Sequence, residues 1–61
     1  MHLTKIKLVG RFKNTQTKQV FNVHQGRVKG RSVDVLFYYY RQKRQYISQA
    51  DFYATDIYEP A

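Results

Sequence analysis

The sequence predicts an α+β fold: a small antiparallel β-sheet of three to four strands with one short C-terminal helix. Three observations lead there. Residues 3–13 (LTKIKLVGRFK) alternate apolar and basic side chains on a period of two, the mark of a half-buried strand. Residues 33–40 hold a single charge, Asp34, among β-branched, leucine and aromatic side chains, the types that fit a pleated surface. From Ser48 the spacing of apolar residues turns helical, opening on a Ser48 to Asp51 capping box.

The first strand puts Thr4, Ile6, Leu8, Gly10 and Phe12 on one face and Lys5, Lys7, Arg11 and Lys13 on the other, with Val9 among the cations. Gly10 weakens a strand interior, so a bulge or a close backbone approach is expected there. Residues 14–18 (NTQTK) are a polar loop of hairpin length. Residues 19–24 (QVFNVH) resume alternation as a second strand, with Phe21 and Val23 on one face. Residues 25–32 (QGRVKGRS) carry two of the three glycines and three cations, and read as an exposed crossing loop.

The third strand is central. Its core face is assigned to Val33, Val35, Phe37 and Tyr39, leaving Asp34, Leu36, Tyr38 and Tyr40 outside. The charged stretch 41–44 (RQKR) forms the tip of a hairpin that returns through Tyr46 and Ile47. No Asn-Gly or Gly-X pair specifies a tight turn. A tip loop with an odd number of residues is preferred, because it buries Ile47 on the chosen core face.

For residues 48–58 the pattern predicts a helix ended by Pro60, although Asp56 and Glu59 lie at the end where the helix dipole prefers cations. The alternative is a single turn over 48–52 followed by a last strand over 54–58. That order would give an SH3-like five-stranded small β-barrel.

Size and composition limit what this fold can do. A chain of 61 residues makes one domain, and a domain of that length buries only about 60% of the surface of its unfolded chain. Without cysteine, no disulfide or thiolate metal site makes up the deficit. Stability is expected from an aromatic core, a bound partner or self-association as a homodimer. No apolar run reaches the 18 or so residues of a membrane span, and residues 1–5 lack the pattern of a signal peptide, so a cytoplasmic setting is expected. His2 and His24 fall in different elements with no clustered carboxylates. No cofactor or metal site is expected, and neither is an enzyme.

Charge points to a partner. Up to Ile47 there are eleven basic residues and one acid, a balance of +10; from Ser48 there are three acids and no base. Such a field attracts polyanions. The leading expectation is nucleic acid, DNA in preference to RNA, held at three places. Lys5, Lys7, Arg11 and Lys13 would track phosphates along the first strand, their alternate positions about 6.6 Å apart. Arg27, Lys29 and Arg31 would add mobile cations from the glycine loop, whose Gly26 to Gly30 spacing is one residue short of a phosphate-binding P-loop. Tyr38, Tyr40 and Tyr46, beside Arg41, Lys43 and Arg44, would stack bases and neutralise phosphate. Arg27, Arg31, Arg41 and Arg44 are the candidates for reading base edges, since a guanidinium pairs bidentately with guanine. The competing expectation is a protein-binding adaptor or inhibitor that docks on an acidic protein surface through exposed tyrosines and the same cations.

Overall fold

A computed structural model describes residues 2–54 and 56–61. The chain forms β1 (Leu3–Asn14), β2 (Val20–Val28), β3 (Asp34–Tyr40), β4 (Lys43–Ile47), α1 (Gln49–Tyr53) and β5 (Tyr58–Pro60). The five strands make one antiparallel sheet in the order β4-β3-β2-β1-β5. It does not close into a barrel. The strand count is that of the alternative reading, while the open sheet with one short helix is the α+β plan.

The C-terminal segment departs from the predicted helix over 48–58. Ser48 caps α1 by accepting a hydrogen bond from the Asp51 backbone N–H at 3.4 Å. After Tyr53 the helix stops, and the chain returns as β5 along the far end of β1, pairing Tyr58, Glu59 and Pro60 with Asn14, Lys13 and Phe12. Beyond Tyr53 the sequence offers mostly mediocre helix formers, Asp56, Ile57 and Tyr58 among them, and so short a helix is not extended by propensity alone. Pro60 is tolerated because β5 is an edge strand. The hairpin joining β1 and β2 is pinned by Asn14, whose Oδ1 accepts from the backbone N–H of Gln16 (2.8 Å) and Thr17 (3.1 Å).

β2 runs on through Gln25, Gly26 and Arg27 to Val28, so the predicted loop over 25–32 shrinks to the residues after Val28. Gly26 is buried inside the sheet. A β-carbon there would sit 3.1 Å from Leu3 Cδ1 and 3.3 Å from Ile6 Cγ1, so its role is close approach and not a turn.

Two irregularities in β1 decide which side chains face where. Thr4 pairs with Arg27 but Lys7 with Gln25; Leu8 pairs with His24 but Gly10 with Val23. Each step inserts one extra residue in β1, a β-bulge. Because side chains alternate with a period of two, every bulge swaps the faces of the residues beyond it. The bulge expected near Gly10 is present. The uniform basic face expected for this strand is not.

The main core lies on one side of the sheet. Val23, Leu36 and Ile47 are buried there, with Phe12, Phe21, Tyr38, Phe52 and Tyr58 packed around them. Tyr38 stacks on Phe21 at 4.0 Å and 18°, and Phe52 of α1 meets Phe12 edge-on at 4.8 Å. This corrects the core face assigned to β3: Leu36 and Tyr38 point to the main core, while Val33 precedes the strand and is exposed. The cause is the tip. Tyr40 pairs with Lys43, leaving Arg41 and Gln42 as a two-residue turn, both with positive φ (52° and 67°). That backbone matches the twist of a hairpin even without Asn-Gly. An even loop places Ile47 opposite Leu36 and Tyr46 opposite Phe37. Ile47 is buried as expected, but beneath the other face.

Candidate nucleic-acid interface

Residues directly opposite in adjacent antiparallel strands project from the same side of the sheet. On the side away from α1, the register lines up Leu8 with His24, His24 with Phe37, and Phe37 with Tyr46. One row therefore crosses four strands, about 14 Å at ordinary strand spacing. The molecule is only 15 Å deep in its thinnest direction, which leaves room for the sheet and α1 on one side and little on the other.

The row is aromatic at its centre. Phe37 is fully buried, enclosed by the rings of His24 (stacked, 5.5 Å), Tyr39 (edge-on, 5.6 Å) and Tyr46 (6.3 Å) and by the Arg44 guanidinium 5.3 Å above it. Tyr39 and Tyr46 are half exposed and Leu8 more so, at 61%. Arg44 is opposite Tyr39. Hydrogen bonds to Tyr39 and then Tyr46 favour its charged form and raise its pKa. The guanidinium thus lies over the buried Phe37 ring beside two tyrosines. Arg11, opposite Asn22, and Lys13, opposite Val20, project from the same side.

The predicted site residues divide among five places. Arg11, Lys13 and Arg44 belong to this aromatic face. Lys5, Lys7 and Arg27 line a cleft on the opposite side with Gln25, Gly26 and Asp34. Lys29 and Arg31 lie in the exposed loop between β2 and β3, and Tyr40, Arg41 and Lys43 at the exposed hairpin tip, where Arg41 sits 5.3 Å over the Tyr40 ring. Tyr38 is the clear correction: its ring is part of the main core. The single phosphate-tracking row of Lys5, Lys7, Arg11 and Lys13 is likewise corrected, since the bulges send its two halves to opposite sides.

The sequence pattern assigns Tyr39 to the core and Tyr46 to the company of Tyr38, and carries no sign that the half-buried His24 stacks on Phe37. A two-residue tip and a continuous β2 would have put all three beside Phe37.

Among the described residues no group of three His, Asp or Glu side chains could hold a metal ion, and no helix is long and apolar enough to cross a membrane. Compared with protein-family models, curated proteins and solved structures, the chain matches none of them.

Proposed function

We propose that this protein is a binding module for single-stranded nucleic acid, with bases stacked on Tyr39 and Tyr46 beside His24 and phosphates drawn by Arg11, Lys13 and Arg44. The observation that carries the reading is the registered row of Leu8, His24, Phe37 and Tyr46 across four strands, with a guanidinium over its centre. Exposed rings on a sheet, edged with cations, offer flat surfaces to unpaired bases whatever their identity. A duplex hides those base faces, so single strands are favoured over the groove-reading mode. Preorganisation helps: Tyr39 and Tyr46 pack against the buried Phe37 ring before any ligand arrives, which lowers the entropic cost of binding.

The test is a fluorescence-anisotropy titration with labelled single strands of DNA and of RNA and with a duplex, repeated over a range of salt. Single strands are expected to bind more tightly than the duplex. With about three phosphates neutralised, log affinity should fall with log salt at a slope of roughly −2. Affinity that ignores salt, or a preference for duplex, overturns the proposal.

A second reading, a protein-binding adaptor, is favoured by one observation. Ile6, Leu8 and Val9 are exposed on β1, where β5 pairs only with Phe12, Lys13 and Asn14 and leaves the earlier edge open. An open edge with apolar side chains can accept another strand. Sedimentation velocity across a hundredfold range of concentration separates self-association from a monomer. A Val9→Asn variant, outside the aromatic row, that abolishes a protein complex while sparing nucleic-acid affinity would favour this second reading.

A further inference from the structure

The side of the sheet away from the aromatic row has its own cluster of charge. Lys5, Lys7, Arg27, Gln25, Gly26 and Asp34 line one cleft. Asp34 is the only acid before Ser48, and it is committed. Its Oδ1 accepts from Arg27 Nε at 2.9 Å and its Oδ2 from Gln25 Nε2 at 2.9 Å. The Gln49 side chain from α1 donates to the Asp34 backbone oxygen at 3.1 Å, which ties the rim of the cleft to the helix.

The carboxylate does two things. It takes Arg27 by its Nε, which orients the guanidinium and leaves the terminal nitrogens for another acceptor. It also cancels one of three cationic charges, so Lys5, Lys7 and Arg27 against Asp34 leave a net charge of +2 in the cleft. The first bulge of β1 completes the arrangement. Lys5 has a positive φ of 53°, a conformation that costs a non-glycine residue of order 1–2 kcal/mol. Backbone strain of this kind persists where surrounding structure enforces it. Its outcome is that Lys5 and Lys7 line the same cleft across the bulge.

We infer that this cleft binds a phosphate monoester, as found at the end of a nucleic-acid strand or on a small phosphorylated molecule. Charge selects the class. A monoester carries about −1.5 to −2 near neutral pH and balances the cleft, whereas an internal phosphodiester carries a single charge. Two ammonium groups and an oriented guanidinium can each donate a charge-assisted hydrogen bond to the terminal oxygens, bonds about twice as strong as neutral ones. The link to a strand end rests on the proposed function: a strand lying along the row would leave the sheet over Leu8, next to Lys7, at the open edge of β1.

The experiment is a titration of the whole protein with inorganic phosphate at pH 7.5, followed by amide chemical shifts, against sodium chloride at matched ionic strength. The expected result is saturable change confined to Lys5, Lys7, Gln25, Arg27 and Asp34, lost in a Lys5→Gln/Lys7→Gln variant. A 5′-phosphorylated oligonucleotide should bind about three- to tenfold more tightly than its 5′-hydroxyl twin, the scale of one or two exposed charge-assisted contacts, and the double variant should erase the difference. Linear shifts spread over all the lysines and arginines would overturn the inference, and the wild-type titration alone decides this if the variant fails to fold. Saturation by phosphate with no oligonucleotide discrimination assigns the cleft to a small phosphomonoester. Saturation by phosphate in a protein that binds no oligonucleotide leaves the cleft standing and removes the nucleic-acid reading instead.

Discussion

Tyr38 and Tyr39 are neighbours in sequence and identical in chemistry, yet the structure gives them opposite work, and substituting each by alanine separates core from interface. Tyr38 stacks on Phe21 at 4.0 Å beside buried Val23, Leu36 and Ile47. Truncating a fully buried aromatic costs about 3–5 kcal/mol. Tyr38 is half-buried, so about 2–3 kcal/mol is expected, including the 0.5–1.5 that a ring pair adds beyond its area. Against a total of roughly 3–9 kcal/mol for a domain this short, Tyr38→Ala should bring the urea midpoint down sharply, and Tyr38→Leu should recover part of the loss.

Tyr39 is 51% exposed and touches Phe37 and His24 edge-on. Its removal should cost stability no more than about 1 kcal/mol. The loss should appear in binding instead: stacking is worth about 1–3 kcal/mol per base, or roughly 5- to 150-fold in affinity for a single strand. Urea unfolding followed by circular dichroism and anisotropy with a labelled oligonucleotide read the two effects separately. Equal destabilisation by both substitutions would refute the face assignment, and unchanged affinity in Tyr39→Ala would refute the interface.

Local geometry gives three further expectations. Gln42→Gly should stabilise the protein by about 1 kcal/mol, because φ of 67° penalises a side chain that glycine lacks; a lower melting temperature would contradict the turn. Gly26→Ala should destabilise by about 1–3 kcal/mol, since the added methyl would press on Leu3 and Ile6 at 3.1–3.3 Å, and denaturant unfolding measures it. The Asp34 carboxyl is held below its ordinary pKa chiefly by its hydrogen bond from Arg27, with Gln25 and Lys7 assisting against desolvation. The folded state therefore binds that proton less readily than the unfolded chain. The stabilisation is complete above the ordinary carboxylate range, near pH 4, and fades as pH falls through the lowered value. Asp34→Asn should flatten this acid limb in a series of thermal melts; an unchanged limb would contradict the pairing.

The parts legible in the sequence are those governed by local pattern. Alternation in residues 3–13, the polar hairpin loop and the apolar run of β3 each dictate a strand wherever the chain goes next. The Ser48 cap also marks the start of a helix correctly. What escaped depends on parity and on partners distant in sequence. The bulge at residues 5–6 leaves no mark in the order of lysines and apolar residues, and Gly10 marks the one at residue 9 without showing which faces it exchanges; together they swap the strand's faces twice. The two-residue tip lacks its customary residues, so nothing local announced it. Tyr58 and Pro60 read as the end of a helix, and only the open edge of β1 makes them a strand. In consequence the residue types of the site are legible in the sequence, while their grouping is not: Tyr38 lies inward, Tyr39 outward, and the lysine row parts.

The central claim is that the face bearing Tyr39, Tyr46 and Arg44 receives unpaired bases. It is tested most directly by mapping amide and aromatic chemical shifts during titration with a short single-stranded oligonucleotide. The account predicts the largest changes at Leu8, His24, Phe37, Tyr39, Arg44 and Tyr46, with Tyr38, Val23 and Leu36 nearly still. Changes centred on the hairpin tip and the loop after Val28, or no change at all, would contradict it.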